Sequence, residues 1–103
     1  MRPFAVRPEG FEGLVMKVSN EFVLRQVADE YLLIPVGEAA LRISGMISLT
    51  ESGYLLYQQL QTGSDREGLI RVLLDTYEVE AAEAAADVDA FLDKLRKLQM
   101  LEE

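Results

Sequence analysis

Three groupings in this 103-residue sequence have residue types and spacings that chemistry could use. Gly63-Ser64-Asp65-Arg66-Glu67-Gly68 has the glycine spacing of a phosphate-cradling loop. Such a loop needs a lysine and then a serine or threonine after the second glycine. Leu69 and Ile70 stand there, so nothing grips a phosphate. Ser64 with Glu67 reads instead as a helix capping box. Asp87-x-Asp89 opens like a calcium loop, but Phe91 replaces the third ligand and Leu92 the turn glycine. Tyr31, Tyr54, Tyr57 and Tyr77 all sit at spacings that suit packing better than catalysis. Neither Gly-x-Ser-x-Gly nor Ser-x-x-Lys occurs.

Composition narrows the chemistry further. There is no cysteine, so thiolate nucleophiles, disulfides and zinc–sulfur sites are out. There is no histidine, which removes the usual general base near neutral pH and the usual nitrogen ligand for metals. The chain is therefore expected not to be an enzyme and to hold neither metal nor cofactor. The net charge is −8. Residues 1–45 hold five Lys/Arg against six Asp/Glu, and residues 46–103 hold five against twelve, so acid gathers in the C-terminal half. Phosphate backbones suit such a surface poorly, because their binding rests on cationic neutralisation. A basic peptide or basic protein surface suits it better, and solubility alone also accounts for the charge.

The elements that position these residues follow from patterning. The chain length fits one domain. Apolar runs are a few residues long, far short of the roughly 20 that span a bilayer. Residues 1–15 carry Pro3, Pro8, Gly10 and Gly13 and read as an N-terminal extension or arm, with neither a signal peptide nor an anchor. The expected domain is 16–103, and the expected compartment the cytoplasm. Phe22–Ala28 and Tyr31–Ile34 read as a β-hairpin turning at Asp29-Glu30. Residues 37–45 form a link with room for a helical turn. Met46–Leu49 reads as a third strand, with Ile47 and Leu49 on one face and Met46 and Ser48 on the other. Thr50 suits an N-cap and Glu51 the positive end of the helix that follows, which Thr62-Gly63 stops. A second helix spans about 65–77. A third starts near Glu80 with Ala84, Val88, Phe91, Leu92, Leu95 and Leu98 on one stripe, and continues towards the leucine-ended tail. The order is β-β-β-α-α-α, an α+β fold in which a small three-stranded antiparallel sheet needs helices on one face.

Strands one and three are the edges of such a meander. Edges are usually blunted by charge, proline, bulges or covering elements, and Met46–Leu49 carries no charge or proline. Either another part of the chain covers it, or it receives a strand from a partner. The same edge also suits pairing with a second copy, giving a homodimer.

Three stretches in order resemble the PqqD-like family, the recognition element for precursors of ribosomally made natural products. "FVLRQVADEYLLIP" resembles its opening hairpin, and "GMISLTESGYLLYQQL" its strand-into-helix signature. "SDREGLIRVLLDTYEVEAAEAAADVDAFLDKLRKLQMLEE" resembles its helix, Tyr-x-Val link, long helix and tail. The resemblance covers 16–103 and leaves residues 1–15 outside, and the 37–45 loop is longer than in the shortest members. It implies a winged helix-turn-helix-like fold and a non-catalytic peptide chaperone. The leader of a precursor peptide adds beside strand three, in a groove against the third long helix, and a modifying enzyme, often a radical SAM protein, acts on the held peptide. Carried onto this chain, the strand wall is Met46, Ile47, Ser48 and Leu49, and the helix wall Asp87, Phe91 and Lys94. Leu92 and Arg96 form the rival flank, and helical periodicity leaves both open. The alternative function is a winged-helix nucleic-acid-binding or homodimeric interaction module, which the charge and the few arginines of the second helix, Arg66 and Arg71, disfavour as regards nucleic acid.

Overall fold

The computed structural model describes residues 15–102. The arm expected over residues 1–15 therefore lies, but for Val15, outside the described residues. Five strands and four helices follow in the order β1 (Lys17–Val18), β2 (Phe22–Val27), β3 (Glu30–Pro35), α1 (Ala39–Arg42), β4 (Ile47–Leu49), α2 (Glu51–Thr62), α3 (Arg66–Thr76), α4 (Ala81–Lys97) and β5 (Leu101–Glu102). The expected α+β class holds, with an antiparallel sheet ordered β2-β3-β4.

The hairpin turns at Ala28-Asp29, one residue earlier than expected, because Val27 pairs with Glu30. Register explains the shift. Phe22, Leu24 and Leu33 share the inward face only when Leu24 stands opposite Leu33, and a one-residue slip would turn that whole set outward. β4 pairs with β3 through Tyr31↔Leu49, Leu32↔Ser48 and Leu33↔Ile47. It begins at Ile47, so Met46 is not part of the strand and stands 60% exposed.

Thr50 caps α2 as expected, its Oγ1 accepting from the Gly53 N–H at 3.1 Å. At α3 the expected capping box is replaced. The cap is Asp65, whose Oδ1 accepts from Gly68 N–H at 2.8 Å. Ser64 is engaged elsewhere, exchanging backbone hydrogen bonds with Met16 at 2.7 and 2.9 Å and donating its hydroxyl to the Asp65 carbonyl. A Cβ on Gly68 would lie 2.5 Å from Ser64 Oγ, so the glycine that weakens the helix by propensity is what lets the cap close.

α4 ends at Lys97, before the tail. Gln99 takes φ +58°, its N–H donates to Arg96, and the Met100 N–H reaches back to the Leu95 carbonyl at 2.9 Å. That is a Schellman closure with glutamine in the place usually held by glycine. It buries Met100 and turns the chain into β5, which pairs with β1 in a second, two-stranded sheet that the sequence pattern did not suggest. The core lies between the inner face of the three-stranded sheet and the helices. Leu33, Leu56, Tyr57, Leu60, Leu69, Leu73, Ala84, Val88, Leu92 and Leu95 fill it, and Met16, Val18 and Met100 close one end.

Candidate functional site

β3 is the only strand partner of β4 among the described residues, so the other side of β4 is an open edge. Beside that edge lies a groove whose far wall is α4. Ile47, Ser48 and Leu49 line one side, Phe91, Lys94 and Leu98 the other, with Leu33, Leu95 and Gly53 below and Thr50 at one end. The two walls run in opposite directions. Arg42, just ahead of β4, donates to the Leu98 carbonyl at the end of α4 at 3.1 Å. Asp87, early in α4, lies with Thr50 and Glu51 just beyond β4.

Local chemistry accounts for this shape. Alternation along β4 turns Ile47 and Leu49 towards the helices and leaves Ser48 exposed. Phe91 is half-buried at the border of the α4 stripe, beside the fully buried Val88, Leu92 and Leu95. Gly53 lets α2 approach this border closely. A Cβ there would sit 3.4 Å from Phe91 Cε1 and 3.3 Å from Thr50 Oγ1, so any larger residue intrudes on the groove floor.

Of the seven residues expected at the site, the structure brings Ile47, Ser48, Leu49, Phe91 and Lys94 to one groove. Met46 is not on its lining, because the strand starts one residue later. Asp87 lies not in this groove but in the adjoining cavity of about 340 Å³, shared with Thr50, Glu51, Ser52, Leu73, Tyr77 and Val79. The rival flank of α4 is turned away: Leu92 is 2% exposed in the core, and Arg96 Nη2 lies 3.9 Å from Met16 Sδ on the far side. Sequence reasoning missed Gly53, Thr50, Leu33, Leu95 and Leu98 as lining residues. Gly53 gave the one available signal, a glycine inside a helix that costs up to about 1 kcal/mol relative to Ala and so calls for a reason.

Several other polar groups bind within the fold. Arg66 clamps Asp89 in a two-pronged pair, Nε–Oδ1 2.7 Å and Nη2–Oδ2 3.0 Å, joining α3 to α4. Those bonds hold the Asp89 carboxyl below its usual range and raise the guanidinium in turn. Burial pushes the Tyr57 phenol up to about 12, as befits a packed core tyrosine. Tyr77 donates to Glu51 Oε1 at 3.0 Å, and Tyr31 stacks on Tyr54 at 4.0 Å between ring centroids. Among the described residues no three acidic side chains gather as metal ligands would, and no helix is long and apolar enough to cross a membrane.

Comparison with solved structures finds the same fold twice. "TbiB1 in Complex with the TbiA(beta) Leader Peptide" superposes with a TM-score of 0.68 at 22% identity, covering 84% of this chain and 94% of that one. "Lasso peptide synthetase B1 complexed with the leader peptide" does so with a TM-score of 0.68 at 20% identity, covering 85% of this chain and 98% of that one. No curated protein matches the chain. The family model described as Coenzyme PQQ synthesis protein D (PqqD) matches residues 23–101, and the chain thus belongs to the PqqD family.

Proposed function

We propose that this chain is a non-catalytic module that captures the leader of a ribosomally synthesised precursor peptide by strand addition to β4. The leader lies in the groove between Ile47, Ser48 and Leu49 on one side and Phe91 and Lys94 on the other, and is presented to a modifying enzyme. A radical SAM maturase acting in the cytoplasm is the enzyme class the family resemblance favours. The observation that carries the reading is the open β4 edge running beside an apolar groove. Unpaired backbone groups supply affinity, and the spaces beneath alternate side chains supply register. The solved relatives, whose descriptions name a bound leader peptide, lend it support.

The test uses proline at two adjacent positions. Successive N–H groups of a strand point to opposite sides. Of Ile47→Pro and Ser48→Pro, one removes a donor from the open edge and the other from the ladder to β3. The open-edge variant keeps the wild-type melting curve. A fluorescein-labelled leader from a precursor gene adjacent to this one is titrated into the full chain, with saturable binding expected at micromolar Kd or tighter. The folded proline variant should lose that binding. Undiminished binding by it rules out strand addition at β4.

A further inference from the structure

The groove is charged differently at its two ends. Lys94 lines the apolar groove, and among the described residues it makes no ion pair. Beyond Thr50, which lines both spaces, lies the larger cavity with Asp87 and Glu51 on its walls. Neither lysine nor arginine lines that cavity. The Tyr77 hydroxyl fixes the Glu51 carboxylate there at 3.0 Å, while Leu73, Val79 and the Tyr77 ring give apolar surface. Such walls suit the alkyl stem of a long basic side chain whose head meets the carboxylates. The partial positive charge at the start of α2 is already offset by Glu51.

We propose that the groove selects a charge pattern as well as a strand: a large apolar side chain beside Phe91, an acidic residue towards Lys94 and a basic one towards Asp87 and Glu51. Asp87 and Lys94 lie seven residues apart on α4, about 10 Å along its axis. An extended guest covers that distance in about three residues. The two charges thus fix which stretch of a guest sits over Phe91, because a slip leaves the guest's charges without their partners and a reversal places like charges together. This rests on the strand-addition reading and adds the chemistry of the guest to it.

The probe is a phage-displayed library of random twelve-residue peptides, panned on the full chain and on the swapped variant Lys94→Glu/Asp87→Lys. Both sites are exposed, and matched circular dichroism melts establish that the variant folds. On the wild type, enriched peptides should carry an acidic and a basic residue on opposite sides of a large apolar one. On the variant that order should invert. Synthetic peptides and their charge-exchanged counterparts should then differ about tenfold in Kd, with opposite sign on the two proteins. If both proteins enrich the same apolar peptides and bind charge-exchanged pairs equally, the charge pattern is refuted while the groove stands. If nothing is enriched on either protein, or enriched peptides bind the folded open-edge proline variant undiminished, the groove reading fails and this inference with it.

Discussion

Gln99 holds a backbone conformation that side chains resist. Its φ of +58° lies in the left-handed region, which costs an L-residue roughly 1–2 kcal/mol. The position persists because two reverse hydrogen bonds close the end of α4 around it and the buried Met100 follows at once. Glycine relieves the strain but makes the unfolded chain more flexible, which gives back roughly 0.5–1 kcal/mol. Gln99→Gly should therefore stabilise the fold by about 0.5 kcal/mol. A urea titration should show a higher midpoint with an unchanged slope. A lower midpoint would mean that the Gln99 side chain does something the backbone geometry does not reveal.

At the start of α3 two side chains compete for one cap, and the winner depends on a distant residue. Ser64 and Asp65 both suit the position locally, and Ser64 has Glu67 three residues on. Met16, far away in the chain, pairs with Ser64 and pins its backbone, so Asp65 takes the cap. Asp65→Ala should cost about 1 kcal/mol, Asp65→Asn much less, and Glu67→Ala should stay within about 0.5 kcal/mol. Thermal melts of the three variants separate this cap from a capping box, in which Glu67 would matter. The same pattern of local signal and distant decision governs what the sequence made legible. Long amphipathic stripes marked α4 and the hairpin, and Thr50 marked the start of α2, because each signal lies within its own element. β1 and β5 have two residues each, too few to show any period, and exist only because Gln99 turns the tail back. Phe91 and Lys94 were placed on the groove side of α4 by a family resemblance, and Asp87 with them. Asp87 lies past Thr50 in the next cavity, because where each turn of α4 meets the rest of the fold is decided by tertiary packing, which no helical period encodes.

For the whole molecule the dominant fact is charge. The chain carries −8, with the acid concentrated in the half that builds α2, α3 and α4. α4 alone displays Glu83, Asp87, Asp89 and Asp93, of which Asp89 is tied to Arg66 and Asp93 to Lys97 at 3.2 Å. Contacts in the groove act over a few ångströms, whereas the field of the whole surface reaches about 10 Å at 0.1 M salt. The field therefore governs how fast a guest arrives, and the groove governs how long it stays. A leader of net positive charge should associate about tenfold more slowly at 0.5 M than at 0.05 M salt, with a dissociation rate that changes little. A net negative leader should show the opposite salt trend in its association rate. Stopped-flow fluorescence with two leaders that share their groove-facing residues and differ only in flanking charge measures both. Association rates that ignore salt for both leaders would confine the role of the acidic surface to keeping the protein in solution, and would leave Lys94, Asp87 and Glu51 as the charges a guest meets.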